Sequence, residues 1–287
     1  MNILEKLKSV EARLEVVTDS WHYESRAILC HVLKCEPINL VLDAMQTLET
    51  SQSNQIDDIV RRRLDRVPLQ YCLGYQDFYG LSFKVDESVL IPRPETELLV
   101  EFIHRQYEGK SGRLLDIGVG SGAIVVTLAK ELAEFVCFGV DISSQALNTA
   151  MENAKRNGVG DRITLLCSDV FEALSSESYL GFFDVIVSNP PYIPEGEAAN
   201  LEPEVAVFEP TLALYGGDDG LDFYRRIIPE AKLFLKDEGL LVFEAGHDQC
   251  AAIEALFTQA GYENVGHFAD YHGIPRFIYG RKAPIGG

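Results

Sequence analysis

From residue 112 onward, short apolar runs alternate with segments in which apolar residues recur every three or four positions. The apolar runs, typical of buried strands, are 113–117, 136–140, 163–166, 183–187 and 240–243. The segments with helical spacing are 122–132, 144–156, 221–235 and 249–259. Two last runs, 262–268 and 276–279, indicate a closing hairpin. The alternation predicts an α/β fold with a doubly wound, mostly parallel sheet that binds ligands at the carboxyl ends of its strands.

The residues before this region have a different pattern. Apolar residues recur at helical spacing between 3 and 17, and further helices are predicted at 23–34 and 53–66, where Pro68 ends the last one. Aromatic and β-branched residues with Gly74 and Gly80 indicate a hairpin that follows. We therefore expect three parts: a small helical domain at 1–70, a β-hairpin linker at 71–90 and the sheet domain at 91–287.

The charge of the chain constrains its partners. The 287 residues include 25 Lys and Arg but 44 Asp and Glu, for a net charge of −19. Between Arg162 and Arg225 there is no Lys or Arg, whereas there are twelve Asp or Glu. Because a surface that grips phosphate needs cations, we expect no direct nucleic-acid partner. Solubility through self-repulsion explains the same charge equally well.

The cysteines and the apolar runs indicate a compartment. Six cysteines are scattered without a C-x-x-C pair, which fits neither a zinc site nor a disulfide framework. We therefore expect no metal and a reducing, cytoplasmic environment. No apolar run approaches the ~18 residues of a membrane span, and Glu5, Lys6 and Lys8 interrupt the place of a signal peptide. No membrane partner is expected.

A glycine-rich segment, Asp116–Gly122, lies where the first strand of the alternating region turns into its helix. Gly118, Gly120 and Gly122 permit positive φ and let a ligand lie against bare backbone. Asp141 ends the next strand, where a carboxylate accepts hydrogen bonds from ribose hydroxyls. The segment predicts a site for an adenosine-bearing cofactor, and a nicotinamide dinucleotide is one of the candidates.

The segment Asn189-Pro190-Pro191-Tyr192 follows the run 183–187. Two prolines fix two φ angles and remove two backbone donors, so the loop is stiff and offers carbonyl acceptors. The Asn189 side chain adds an amide oxygen. A planar NH₂ group held by Asn189 and the Pro190 carbonyl has both hydrogens occupied, which aims its nitrogen in one direction. Tyr192 offers an aromatic face to a planar group or to a nearby sulfonium. Asn189 and Pro190 are therefore the catalytic candidates.

This loop, in this position, resembles that of S-adenosylmethionine-dependent methyltransferases acting on planar amino or amide nitrogens. More narrowly, the chain resembles the HemK/PrmC family, which methylates the side-chain amide of a protein glutamine. The segments that carry the resemblance are Pro68–Gly74, Phe78–Leu81, Ile91–Glu97, Asp116–Gly122, Asn189–Tyr192, Glu209-Pro210, Gly216-Gly217, Asp219–Leu221 and Glu244-x-Gly246. In place of a common Thr or Ser the chain has Val119, and Val170 replaces a frequent large aromatic.

The resemblance implies a Rossmann-like class I methyltransferase sheet, with S-adenosylmethionine as cofactor and S-adenosylhomocysteine as product. The implied cofactor contacts are Gly118, Val119, Gly120, Ser121, Gly122, Asp141, Ile142, Asp169, Val170 and Asn189. The implied glutamine contacts are Asn189, Pro190, Pro191, Tyr192 and Phe78. The helical domain is expected to recognise a class-1 peptide chain release factor, whose Gly-Gly-Gln loop carries the target in translation termination. We expect a monomer.

Other functions remain open at this stage. The sister enzyme of the same family methylates a glutamine of a large-subunit ribosomal protein. Nucleic-acid base methyltransferases share the Asn-Pro-Pro-Tyr loop, since adenine and guanine also present planar NH₂ groups. A regulatory protein that only binds the cofactor would not need that loop. A nicotinamide-dependent dehydrogenase would need a hydride-transfer acid, and no His, Lys or Tyr is placed as one.

Overall fold

A computed structural model describes residues 1–174 and 176–284; residue 175 and the last three residues of the predicted sheet domain, 285–287, lie outside the described residues. The helices are α1 (Ile3–Leu14), α2 (Trp21–Leu33), α3 (Asn39–Leu42), α4 (Thr50–Leu64), α5 (Leu69–Leu73), α6 (Thr96–Tyr107), α7 (Ala123–Glu131), α8 (Ser144–Arg156), α9 (Pro203–Phe208), α10 (Asp222–Phe234) and α11 (Cys250–Gln259). The strands are β1 (Tyr75–Phe78), β2 (Leu81–Lys84), β3 (Gly112–Ile117), β4 (Phe135–Asp141), β5 (Ile163–Cys167), β6 (Phe183–Ser188), β7 (Leu235–Glu244), β8 (Tyr262–Ala269) and β9 (Pro275–Lys282). None of the described helices is long and apolar enough to cross a membrane.

The chain forms two compact units, and the first is helical. It comprises Met1–Tyr75 together with Glu202–Phe208. Helices α1, α2 and α4 bury apolar side chains that recur at helical spacing, as the pattern between 3 and 66 predicts. The side chains with no exposed surface are Val10, Leu14, Ile28, Leu29, Ile56 and Val60. Burial of each such side chain contributes roughly 1.5–3 kcal/mol to folding.

A short segment from the second half of the chain completes the helical unit. Glu204 of α9 receives two arginines: its Oε1 lies 2.9 Å from Nη1 of Arg63, and its Oε2 lies 2.9 Å from Nη2 of Arg66. Arg63 is only 5% exposed, and its Nε also donates to Glu24 at 2.7 Å. Removing one partner of such a buried pair typically costs about 3–5 kcal/mol. The two ion pairs of Glu204 therefore hold α9 in the helical unit.

The second unit, Gln76–Leu201 with Glu209–Gly287, is built on a seven-stranded sheet of order β5-β4-β3-β6-β7-β9-β8. Strands β3 to β7 are paired in parallel, and β9 pairs antiparallel with both β7 and β8. The sheet confirms the predicted doubly wound α/β fold, including its closing hairpin. Strands β1 and β2 form a separate two-stranded sheet.

Both faces of the large sheet are buried. Along β6, Val185 and Val187 lie in one apolar core with residues of α6, α7 and α8, whereas Ile186 lies in another with residues of α10 and α11. This alternation explains why 185–187 are consecutive apolar residues, since a strand covered by helices on both faces has no solvent-facing side there.

The hairpin before the sheet is shorter than predicted. The expected linker at 71–90 begins in the structure as helix α5, which ends at Gly74 with a left-handed φ of 80°. The first strand therefore starts only at Tyr75, and the second ends at Lys84. Of the aromatic and β-branched residues that predicted the hairpin, Phe78 and Phe83 lie in β1 and β2, whereas Tyr79 lies in the turn and Val85 in the irregular stretch after β2.

Candidate active site

A cavity of about 370 Å³ lies at the carboxyl ends of β3, β4 and β6. Strand β3 pairs with β4 on one side and with β6 on the other, so the chain order reverses here. At the end of β6, Ser188 is paired with Ile117, and its hydroxyl donates to the Ile117 carbonyl at 2.6 Å. In doubly wound sheets, the crevice outside such a reversal is where ligands bind. The volume is that of a small-molecule site.

The glycine loop after β3 forms one wall of this cavity. Gly118, Gly120 and Gly122 have φ of 78°, 54° and 84°. Gly118 and Gly120 line the cavity, and a Cβ atom built on either meets no atom within 4 Å. At Gly122 a Cβ would instead lie 3.1 Å from the Cβ of Ala150. Side chains at the first two positions would therefore fill the cavity, which leaves bare backbone for a ligand.

The other two predicted contacts of this loop face away from the cavity. Val119 and Ser121 are only 5% and 4% exposed and do not line it. Val119 packs over Gly139 of β4, where an added Cβ would lie 2.5 Å from its Cγ2 atom. The Val119 side chain therefore fixes the loop to the sheet, and the structure does not bring it to the cofactor cavity.

Asp141 is held at the cavity by the backbone of two loops. Its Oδ2 accepts from the Gly120 N–H and its Oδ1 from the Ser143 N–H, each at 2.8 Å. Burial raises the pKa of the Asp141 carboxyl, although these hydrogen bonds oppose the shift. The carboxylate still has free lone pairs for a ribose diol, because each oxygen accepts more than one hydrogen bond. Ile142, the next predicted contact, also lines the cavity.

Asp169 and Val170 line the cavity after β5. Val170 has a φ of 52°, which is rare for a β-branched residue. Its carbonyl accepts from the Ser168 hydroxyl at 3.0 Å, which helps to hold this conformation. Asp169 is paired with Arg226 of α10, with Oδ1 and Nη2 2.8 Å apart. Strained backbone of this kind concentrates at ligand sites.

The loop after β6 forms the opposite wall. Asn189, Pro190 and Pro191 line the cavity together with the glycine loop and Asp141. Tyr192 instead lines a neighbouring hollow of about 280 Å³. The structure thus brings together three of the four residues of the predicted clamp with the predicted cofactor residues.

Two glycines and a glutamine support this loop from behind. A Cβ on Gly216 would lie 2.5 Å from the Pro191 carbonyl oxygen, and one on Gly220 would lie 2.1 Å from that of Tyr192. The side-chain Nε2 of Gln249 donates to the same Tyr192 oxygen at 2.8 Å. The sequence analysis assigns no role to Gln249. The signal that could have pointed to it is its position three residues after Gly246, which belongs to a segment that carries the family resemblance.

Other quoted segments meet behind the loop through polar side chains. Arg93 donates to Glu209 at 2.7 Å, and the Thr96 hydroxyl donates to Glu244 at 2.6 Å. The Asn189 amide nitrogen lies 3.5 Å from the Thr96 oxygen. Burial raises the pKa of the Glu209 and Glu244 carboxyls, and the neighbouring hydrogen bonds oppose that shift.

Phe78, the remaining predicted glutamine contact, lies away from the cavity. It is 1% exposed, lies in the apolar core and packs edge-to-face against Phe83, with ring centroids 6.0 Å apart. It does not line the cavity. The Phe78 ring therefore packs the hairpin in this structure, and its contact with a substrate glutamine stays a prediction of the resemblance.

The cavity fits an adenosine-bearing cofactor with a flexible polar tail. The bare backbone at Gly118 and Gly120 leaves room for the tail, and the Asp141 carboxylate faces the place of a ribose. Apolar side chains, including Ile142 and Val170, supply the surface that a purine needs. Among the described residues, no group of three His, Cys, Asp or Glu side chains has the geometry of a metal site.

Comparison with known proteins identifies the family. Residues 5–74 match the family described as PrmC N-terminal domain, and residues 94–207 match that described as Methyltransferase small domain. The release factor glutamine methyltransferase of Thermodesulfovibrio yellowstonii is 37% identical over 91% of this chain and 92% of its own length. That of Geobacter sulfurreducens is 41% identical over 90% and 88%, respectively. The chain belongs to the release factor glutamine methyltransferase family. The resemblance seen in the sequence is thereby confirmed.

A solved structure agrees on the fold of this family member. The hMettl16 catalytic domain, in complex with MAT2A 3′UTR hairpin 6, superposes with a TM-score of 0.57 at 17% identity, over 83% of this chain and 84% of that one. At this identity the likeness shows the methyltransferase fold alone. Substrate must be argued from the site.

A methyl group on Gly220 is expected to impair the family's Asn-Pro-Pro-Tyr loop. Gly220→Ala places a Cβ 2.1 Å from the Tyr192 carbonyl oxygen, so the loop must move. We expect methyl-transfer turnover to fall about tenfold or more, as misplacement of reacting groups by about 1 Å can do. Steady-state kinetics with the protein substrate measures this.

Gly158→Ala is the matched control for Gly220→Ala. Gly158 has a φ of 74° against 75° at Gly220, yet an added Cβ there meets no atom within 4 Å. Gly158→Ala therefore has the same backbone strain as Gly220→Ala, about 1–2 kcal/mol, but no close contact between the added Cβ and a neighbouring residue. Equal turnover in the two variants would show that strain alone matters and that close packing under Tyr192 does not.

Proposed function

We propose that this protein transfers a methyl group from S-adenosylmethionine to the side-chain amide nitrogen of a protein glutamine. We further propose that the glutamine belongs to the Gly-Gly-Gln loop of a class-1 peptide chain release factor. One observation carries the proposal: the Asn189–Pro191 loop shares a cavity with the cofactor residues Gly118, Gly120 and Asp141. The family's curated members, named for this reaction, support it.

The chain's own residues have a simple task. An amide nitrogen is a poor nucleophile because its lone pair is delocalised into the carbonyl. The Asn189 oxygen and the Pro190 carbonyl accept the two hydrogens of the substrate NH₂, which aims the nitrogen and favours the positive charge that grows on it. Holding reacting groups in line in this way can contribute about 7–11 kcal/mol. No strong general base is required, since solvent takes the proton afterwards.

When bound, S-adenosylmethionine supplies a methyl group already activated on a sulfonium. In our proposal Gly118, Gly120 and Gly122 face its methionine portion, Asp141 holds the ribose, and Asp169 with Val170 lies beside the adenine. S-adenosylhomocysteine is the product, and no metal takes part.

We assign substrate recognition to the predicted helical domain, residues 1–70, and catalysis to 91–287. The match of residues 5–74 to the PrmC N-terminal domain supports the first assignment. We also propose a cytoplasmic monomer that acts on protein and binds neither nucleic acid nor membrane. The cysteine pattern supports the compartment, and the deficit of Lys and Arg around Asn189 supports a protein substrate over nucleic acid.

The test is direct methylation. The purified protein is incubated with S-adenosylmethionine and a class-1 release factor, and the Gly-Gly-Gln peptide is mapped by mass spectrometry. The expected result is one added methyl on that glutamine. Normal cofactor binding without that methylation would refute the substrate. The large-subunit ribosomal proteins and then nucleic acid would be tried next.

The acidic stretch near the loop predicts how the protein substrate binds. Six of its twelve acidic side chains are paired with Lys or Arg from elsewhere in the described chain; they are Asp169, Asp184, Glu204, Glu209, Asp219 and Asp222. Glu195 and Glu197, just after Tyr192, are exposed. Of the six that remain, these two lie nearest to Tyr192 in the sequence, so we propose that they attract a basic protein loop.

Reversing both charges is expected to weaken substrate binding. In Glu195→Lys/Glu197→Lys, the KM for release factor should rise about tenfold at low salt and the difference should shrink as salt screens the charges. Glu172→Lys/Glu177→Lys, exposed in the same stretch, is the matched control. Steady-state kinetics at several salt concentrations measures both. Equal KM values in the two double variants would contradict a local attraction.

A further inference from the structure

A buried carboxylate, that of Glu244 at the end of β7, lies behind the Asn-Pro-Pro-Tyr loop. Glu244 is 1% exposed. Its Oε2 accepts from the Thr96 hydroxyl at 2.6 Å, and its Oε1 lies 3.7 Å from Nη2 of Arg276. Thr96 begins α6 and Arg276 lies in β9, so three parts of the second unit that are distant in sequence meet at this carboxyl.

Thr96 links Glu244 to Asn189, because its hydroxyl oxygen contacts both side chains. A hydroxyl has a single hydrogen to donate. Because Thr96 donates it to Glu244, only its lone pairs are left to face the Asn189 amide, 3.5 Å away. The amide group must therefore turn its Nδ2 toward Thr96. Its oxygen is then the atom left to accept a hydrogen bond from a substrate.

Arg276 links the same carboxylate to Tyr192. Nη2 of Arg276 donates to the Tyr192 hydroxyl at 3.0 Å, and this is the nitrogen that lies near Glu244. Asn189 and Tyr192 are the first and last residues of the loop. One buried carboxylate is thus connected to both of its ends.

We propose that Glu244 is a positioning residue for methyl transfer, which through Thr96 fixes the face that the Asn189 amide presents and through Arg276 holds Tyr192. The inference rests on the proposed function, since it concerns a substrate NH₂ group that needs an acceptor. With the Asn189 amide reversed, its own N–H groups would face the substrate N–H groups, and the nitrogen would no longer be aimed.

Two substitutions interrupt the connection at different points. Thr96→Val removes the hydroxyl at nearly constant volume. In Glu244→Gln the side-chain NH₂ can donate to Thr96, which frees the hydroxyl to donate to Asn189 and permits the reversed amide. We expect each to lower kcat about tenfold or more with little change in the KM for S-adenosylmethionine. Thr96→Ser keeps the hydroxyl and should retain kcat within about threefold.

The double variant and a matched control separate positioning from general damage. Thr96→Val/Glu244→Gln should lose no more than Glu244→Gln alone, because the path through Thr96 is one of the two through which Glu244 acts. Thr127→Val is the control: Thr127 is also completely buried, in α7, and its hydroxyl has no partner among the described residues. It should keep the wild-type kcat. Multiplying losses in the double variant, or unchanged kcat in both single variants, would overturn the proposal.

A spectroscopic measurement tests the amide orientation independently of the substrate. With ¹⁵N-labelled asparagine, the side-chain signal of Asn189 is identified by its loss in Asn189→Ala. Thr96→Val and Glu244→Gln should shift this signal and speed the exchange of its hydrogens with solvent, whereas Thr127→Val should not. An unchanged signal in Thr96→Val overturns the inference whatever the assay shows. A wild-type protein with the expected signal but no methylation of release factor overturns the proposed substrate alone.

Discussion

Replacing Asn189 with alanine is expected to lower turnover at least about a hundredfold, which corresponds to about 2.7 kcal/mol in the barrier. The substitution removes the side-chain oxygen that, with the Pro190 carbonyl, aims the substrate nitrogen. Losses of this size follow the removal of one hydrogen bond that stabilises charge in a transition state. Single-turnover methyl transfer to release factor measures the loss. Calorimetry should show nearly unchanged affinity for S-adenosylmethionine.

Asn148→Ala is the matched control for this variant. Asn148 lies exposed on α8, in the same unit, and does not line the cavity. It should turn over as the wild type does. If Asn189→Ala were as active as Asn148→Ala, the clamp would be wrong and the loop would serve only as a rigid turn.

Asp141→Ala is expected to act on the cofactor and not on the methyl-transfer step. A hydrogen bond to a charged group contributes about 1.5–3 kcal/mol, so losing the carboxylate should raise the Kd for S-adenosylmethionine about tenfold to a hundredfold. The variant also releases the Gly120 and Ser143 N–H groups that the carboxylate now holds. At saturating cofactor, turnover should recover toward the wild-type value. Unchanged affinity by calorimetry would refute the role.

The pH dependence of binding provides a second check on Asp141. Burial raises the pKa of this carboxyl above that of an ordinary aspartate. As the pH falls through the raised pKa, protonation removes hydrogen-bond acceptors from the carboxyl. The wild type should therefore lose cofactor affinity at a higher pH than the pKa of an exposed aspartate would give. Asp141→Ala should lack this contribution to the pH dependence. Asp161→Ala, an exposed position, should retain the wild-type profile.

Much of the fold could be predicted because its signals are local. The run 183–187 indicates a buried strand, and the structure buries Val185 and Val187 on one face of the sheet and Ile186 on the other. The glycine loop and Asn189 could be placed near each other without coordinates, because both follow strands of one parallel sheet. Their meeting at the reversal of strand order follows from topology.

The site residues that the sequence did not predict are held together by contacts between residues that are distant in the chain. Thr96 and Glu244 are 148 positions apart, and no periodicity relates them. Arg276, in an edge hairpin, has no local feature that marks it as a partner of Tyr192. The glutamine contact at Phe78 stays a prediction of the family resemblance, since in this structure Phe78 is buried in the apolar core. Composition cannot tell these environments apart.

The origin of α9 has a consequence for modularity. Glu202–Phe208 belongs to the helical unit, whereas the residues on either side of it belong to the second unit. The helical unit is therefore built from two separate stretches of the sequence. A chain truncated after residue 75 would keep Arg63 and Arg66 but would lose their partner Glu204. Exchanging helical units between relatives would therefore require transplanting two stretches of sequence, because the ion pairs that join them have one partner in each stretch.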